Sequence, residues 1–166
     1  MNNIKTKELI LMYLQGYDKS EEEVSYYITK KGIVDELNAH KDDINTCLNN
    51  LSDEGLIEKY IRPVSGHSNK KNVYFLTKKG KSKEENIWNR IKDQEVLLKT
   101  KESNFKIKLN KLDKYIGGRN PIIEGIKRLE DDGSIDMKNI SKPTDFFVGR
   151  KNELNYLKKR IKKSKR

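Results

Sequence analysis

Apolar residues recur along the chain at two periods, and the switches between them outline the elements. Ile4, Leu9, Ile10, Leu11, Met12, Tyr13 and Leu14 predict a short, mostly buried helix stopped near Gly16. The β-prone residues Val24, Tyr26, Tyr27 and Ile28 predict a short strand or an extended connector. Ile33, Val34 and Leu37 return to one helical face, with Thr29 placed as its N-cap. After a tight connection, "NAHK", Ile44, Cys47, Leu48 and Leu51 fall at i, i+3, i+4 and i+7, which predicts an amphipathic helix from roughly Lys41 to Glu54. Asp42 and Asp43 sit in its first turn, where the helix dipole favours carboxylates, and Gly55 suits its C-terminal end. Two short helices joined by a tight turn form a helix-turn-helix pattern.

The period then drops to two. "LIEKYIRPV" alternates Ile57, Lys59 and Ile61 against Glu58, Tyr60 and Arg62, a strand with two unlike faces. "SGHSN" supplies turn residues, and "NVYFLT" returns as the second strand. "KKGKSKEENIWNRIKDQ" is helical again, with Ile87, Trp88 and Ile91 on one face. From about Gln94 the texture changes. Val96 to Lys99, the turn "KESN" and Phe105 to Leu109 predict a second hairpin. A short helix in "NKLDKYIGG", another in "NPIIEGIKRLEDDG" with Pro121 in its first turn, and a small strand in "SIDM" follow. "SKPTD" reads as a linker, and "ELNYLKKRIKK" as a last helix with Leu154, Leu157 and Ile161 as its stripe. No internal repeat is evident. The expected fold is α+β in three parts: residues 1–93, a helix-turn-helix with a hairpin; residues 95–140, a small α/β accessory unit; and residues 141–166, a linker and C-terminal helix.

Composition narrows the function. With 34% hydrophobic and 37% charged residues in 166, the chain supports modest cores under a well-solvated surface. The single cysteine, Cys47, permits no internal disulfide and fits a reducing cytoplasm. No apolar run approaches the ~18 residues of a membrane span. The N-terminal stretch lacks a small-residue cleavage site and reads as a helix rather than a signal peptide. A net charge of +11 suits a polyanion such as nucleic acid, or an anionic membrane surface. A lysine-rich genome yields the same total, so the distribution tells more. Residues 1–58 carry 6 Lys/Arg against 12 Asp/Glu, residues 59–83 carry 8 against none, residues 84–140 carry 12 against 11, and residues 141–166 carry 10 against 2.

The first basic block contains the candidate chemistry. Arg62, His67, Lys70 and Lys71 gather at the hairpin tip, and Lys78, Lys79, Lys81 and Lys83 open the next helix. Cations near DNA phosphates displace condensed counterions and give affinity that falls with salt. Ser65, Gly66 and Ser68 are small enough to let the backbone approach a groove. Lysines also blunt exposed strand edges, which is the alternative reading of the same residues. On the second helix of the pair Lys41 stands at the start as a candidate DNA contact, and Asn45, Thr46, Asn49 and Asn50 face away from the apolar stripe or sideways. Asparagine can pair bidentately with adenine, and a threonine methyl can touch thymine. Asp42 and Asp53 share that face and repel phosphate, so a helix that meets protein stays open.

Enzyme chemistry is thin. His40 and His67 lack metal-ligand company, and His40 fits a capping or packing role. Cys47 reads as a small core residue. Trp88 reads as core rather than a base-stacking platform. The acidic runs "SEEEV" and "EDDG" read as solvated faces. No G-x-x-x-x-G-K-[ST] occurs. The expectation is a non-catalytic chain without cofactor or metal.

Two resemblances extend this reading. "T-x-x-G-I-x-x-x-L" from Thr29, "L-x-x-L-x-x-x-G-L-I" into the first strand and "V-Y-F-L-T-x-x-G" at its close are together similar to prokaryotic winged-helix domains, especially archaeal regulators, over roughly residues 4–93. That resemblance implies a winged helix-turn-helix that binds double-stranded DNA in the cytoplasm, with a homodimer as the default assembly. At the start of the second helix His40, Lys41, Asp42 and Asp43 replace the small polar residues usual in the family. "FFVGRKNELNYLKKRI", residues 146–161, resembles the opening of AAA+ and STAND-type P-loop ATPase modules. It implies that Val148, Gly149 and Arg150 lie close to a bound ATP base, supplied with its phosphate loop by a module further along a longer chain. The alternative class is a protein-interaction module in which the winged helix docks a partner or its own ATPase domain.

Overall fold

The computed structural model describes residues 4–140 and is a mixed α+β structure in two units, the first ending at Lys92 and the second beginning at Asp93. The linker and last helix expected over 141–166 lie outside the described residues. Among the described residues no helix is long and apolar enough to cross a membrane.

The first unit runs α1 (Thr6–Leu14), α2 (Lys30–Leu37), α3 (Lys41–Asp53), β1 (Ile57–Arg62), β2 (Lys71–Leu76) and α4 (Lys78–Ile91). Its core is built from the stripes the sequence marked: Ile10, Leu11 and Leu14 of α1, Ile33 of α2, Ile44, Leu48 and Leu51 of α3, and Ile87 and Ile91 of α4 are all buried, with Val73 and Phe75 of β2. Asn38 ends α2 in the left-handed region (φ 48°), which its short amide tolerates, and turns the chain toward α3 within the expected connection.

The stretch expected as a strand or connector at 24–28 is more divided. Val24 makes a single parallel bridge to Val64, and Thr29 an antiparallel one to Val73. Between them Tyr26–Ile28 close a 3-10 turn, because the Ser25 hydroxyl accepts the Tyr27 N–H (3.2 Å) and draws the backbone away from a ladder.

A repeat absent from the expectations organises the two helices that flank the hairpin. The tetrapeptide Thr-Lys-Lys-Gly occurs at 29–32 and again at 77–80. In both copies the threonine Oγ1 accepts the glycine N–H at 3.0 Å and caps the helix. In both it also donates to a backbone carbonyl at 2.7 Å, of Tyr26 in one and Gly55 in the other. In both the glycine sits against backbone. A Cβ on Gly32 would stand 2.3 Å from the Tyr26 oxygen, and one on Gly80 1.9 Å from the Leu56 oxygen. Each copy thus clamps a helix start onto a segment earlier in the chain, the first beside Val73 in the middle of β2 and the second just past its end.

The second unit comprises β3 (Glu95–Lys99), β4 (Asn104–Lys108), a 3-10 segment Leu109–Lys114, α5 (Pro121–Lys127) and β5 (Ser134–Asp136). The strands order β4–β3–β5, antiparallel then parallel. The expected hairpin, proline-started helix and small strand are present. The "NKLDKYIGG" helix is 3-10 rather than α, with Leu109 and Leu112 both buried one 3-10 turn apart.

Candidate nucleic-acid interface

The β1–β2 hairpin pairs Ile57 with Leu76, Lys59 with Tyr74, and Ile61 with Asn72 on one face, and Glu58 with Phe75, Tyr60 with Val73, and Arg62 with Lys71 on the other. The second face packs inward. Phe75 and Val73 are buried, and the Tyr60 ring meets Phe75 edge-on at 6.0 Å. The Tyr60 hydroxyl donates to Glu58 (2.8 Å), and that bond raises its pKa. The first face is covered only at its base. Ile57 and Leu76 are buried, whereas Ile61 is 68% exposed. The face carrying both isoleucines is therefore the one that opens outward. The apolar character of Ile61 does not decide its burial, because among the described residues of this unit nothing covers it.

The tip residues separate into two groups. Arg62 turns to its own chain: its Nη2 donates to the carbonyls of Lys19 (3.0 Å) and Glu21 (2.6 Å). His67 stacks on the Tyr26 ring at 5.0 Å and 13°. Tyr26 in turn donates to Asp35 of α2 at 3.3 Å; burial first, then Asp35, raise its pKa. Backbone bonds Val24 N–H to Pro63 O (3.2 Å) and Ser65 N–H to Val24 O (3.0 Å) complete this attachment of the tip to residues 19–27. Lys70 is exposed and Lys71 half-buried, and neither has an ion-pair partner among the described residues.

On α3, Lys41, Asn45, Thr46 and Asn49 are all exposed, as expected. Asn45 accepts from Lys30 Nζ at 3.3 Å. His40 occupies the N-cap position, but its side chain makes no capping bond. Cys47, expected in the core, is half-buried at the edge of the stripe, and burial raises its thiol pKa. Trp88 is likewise half-buried.

A shallow groove joins helix and hairpin. Asn49, Ser52 and Asp53 of α3 form one wall, and Ile57, Lys59 and Tyr74 the other. Of these, the sequence marks Asn49 as a base-facing residue and Asp53 as a carboxylate on the same face. The signal for two others was present: Ser52 follows Asn49 at i+3, and Lys59 faces Tyr74 across the hairpin. Val148, Gly149 and Arg150 lie outside the described residues. Among the described residues no cluster of three or more His, Cys, Asp or Glu could hold a metal ion. No family model, no curated protein and no solved structure matches the chain.

Proposed function

We propose that this chain binds double-stranded DNA through α3 and the β1–β2 hairpin, as a sequence-specific or semi-specific transcriptional regulator. One observation carries the reading. Residues 59–83 contain no Asp or Glu, and Lys59, Lys70, Lys71, Lys78, Lys81 and Lys83 have no ion-pair partner among the described residues. Unneutralised ammonium groups on an ordered hairpin and on the first turns of the helix that follows it suit a phosphate backbone. In this reading Lys70 and Lys71 grip the backbone, Asn45, Thr46 and Asn49 face base edges, and Lys41 meets a flanking phosphate. Arg62 and His67 hold the hairpin in place. No bond of the DNA changes. A homodimer would multiply affinity over two half-sites. By the resemblance of residues 146–161, the chain is the DNA-binding portion of a larger cytoplasmic regulatory ATPase, with Val148, Gly149 and Arg150 beside its nucleotide.

The test is a titration of a labelled duplex by anisotropy across a range of salt. The logarithm of the affinity should fall linearly with the logarithm of salt, and Lys70→Glu with Lys71→Glu should abolish binding. Absence of duplex binding at low salt ends the reading. It would favour the second one, a protein-docking module. The observation behind that alternative is that Asp42, Asp43 and Asp53 of α3 have no cation partner among the described residues.

A further inference from the structure

The groove between α3 and the hairpin contains a carboxylate that the fold itself does not use. Asp53 lies in the last turn of α3, where the helix dipole disfavours negative charge and no basic residue compensates it. It has no ion pair among the described residues, although Lys59 lines the opposite wall of the same groove. Its neighbour Glu54 does have a partner, Lys7, so the two adjacent carboxylates differ. Asn49, one turn earlier, is a poor helix former at an exposed position. Residues placed against local preference mark sites kept for another purpose.

Charge decides what can approach. A phosphate meets repulsion at Asp53 and attraction at Lys59, a few residues away on the hairpin. Asp53 accepts hydrogen bonds and donates none, so its partner must be a donor. In the major groove of a duplex the only donors are the exocyclic amino groups, cytosine N4 and adenine N6. The groove therefore separates two parts of one ligand, an amino-bearing base edge on the helix wall and a phosphate on the hairpin wall. Tyr74, whose phenol pKa is raised by burial, stays protonated beside Lys59 as a second donor toward the phosphate side.

We propose that this groove is a base-reading site in which Asp53 accepts from the amino group of a cytosine, Asn49 pairs with N6 and N7 of a neighbouring adenine, and Lys59 holds the adjoining phosphate. The site rests on the DNA-binding reading above, and it names which bases that surface selects. The acidic character of α3 then serves selection: a carboxylate left facing thymine or guanine acceptors is unpaired and repelled.

The experiment selects duplexes from a randomised library with the full chain, followed by anisotropy titrations of the enriched site and its single-base variants. The wild type should enrich cytosine at one position and adenine beside it. Asp53→Ala should lose the cytosine preference, with discrimination against thymine falling by about fivefold to tenfold, while affinity for random duplex holds or rises. Asp53→Asn should move the preference at that position toward adenine. Asn49→Ala should relax the adjacent position alone. Lys59→Ala should weaken all sequences alike and lower the salt slope by about one. Melting temperature should hold or rise in Asp53→Ala, since the dipole disfavours the carboxylate. Asp53→Ala that keeps the cytosine preference, or that weakens every sequence equally, overturns the site and leaves the DNA reading standing. A wild type that binds no duplex at low salt overturns both.

Discussion

Residues 59–83 and the second unit are both rich in lysine, yet they handle the charge in opposite ways. In the second unit several cations meet carboxylates, Lys99 with Asp132 (3.2 Å), Lys106 with Glu95 (3.7 Å), Lys108 with Asp93 (3.6 Å), and Lys127 and Arg128 with Glu124 (3.1 and 2.7 Å), although Lys101, Lys111, Lys114 and Lys138 have no ion-pair partner among the described residues. In residues 59–83 Arg62 and Lys79 bond backbone carbonyls, Lys79 at the end of α3 (2.8 Å to Glu54 O), and the other six lysines have no ion-pair partner among the described residues. Exposed pairs contribute only about 0–1 kcal/mol each, so the pairing of the second unit matters less for stability than for cancelling its field. A field remains where sequence segregates the charges. Total charge is blind to this difference, and placement is what a polyanion would sense.

The sharpest way to break the comparison is to reverse two charges in each region. Lys70→Glu with Lys71→Glu should remove measurable duplex binding and take about two from the salt slope. Lys106→Glu with Lys108→Glu, which changes net charge equally, should leave binding near the wild type. It should shift stability by about 0.5 kcal/mol or less by thermal melting. Equal losses would mean that affinity follows total charge.

A second variant keeps every lysine and disturbs only their placement. Gly80→Ala drives a Cβ into the Leu56 carbonyl just before β1. Overpacking of this kind costs about 1–3 kcal/mol, measurable by urea unfolding. Duplex affinity, corrected for the folded fraction, should fall with the charge unchanged. Unaltered affinity would show that ordered presentation of the hairpin is not needed.

These two devices show what was legible from sequence and what was not. The helix stripes of α1, α3 and α4 and the hairpin followed from periodicity, because burial of a whole face leaves a pattern in the chain. The cap at Thr29 was legible as a residue preference, but its second copy at Thr77 was not recognised, since four residues are too few to stand out until their geometry is seen. Arg62 and His67 were grouped with Lys70 and Lys71 as tip cations. Their engagement with the Lys19 and Glu21 carbonyls and with Tyr26 depends on residues some forty positions away, which no local pattern encodes. Ile61, 68% exposed, marks a limit of another kind. Alternation predicts which residues share a face, not whether anything covers it.

Arg62 offers the next test, because a phosphate contact and a structural tie differ in salt dependence. Arg62→Ala removes two charge-assisted bonds at a half-buried site, about 1 kcal/mol after allowance for solvent. A tie predicts a fall of a few-fold in affinity with the salt slope unchanged. A slope lower by about one, matching Lys59→Ala, would instead make Arg62 a phosphate ligand.

The smallest effect separates the regions by acid. The Ser134 hydroxyl (2.5 Å), the Ser134 N–H (3.0 Å) and Lys99 together hold the Asp132 carboxyl below its ordinary pKa. For Glu124 burial pushes the pKa up, but bonds from Arg128 and Lys127 outweigh it and leave the carboxyl low as well. A folded pKa below the unfolded one means that the stabilisation is complete above the ordinary carboxylate value, about 4, and is lost as pH falls through the depressed folded value. Strand β2, Lys71–Leu76, carries no carboxylate. Acidification from about pH 5 to about pH 2 should therefore lower amide-exchange protection at α5 and β5 before it does so at β2. Asp132→Asn should weaken β5 at neutral pH and leave it less sensitive to acid. Protection that declines together in β2 and β5 would show that neutralised and unneutralised regions respond to acid through the same groups, and the contrast between them would not extend to stability.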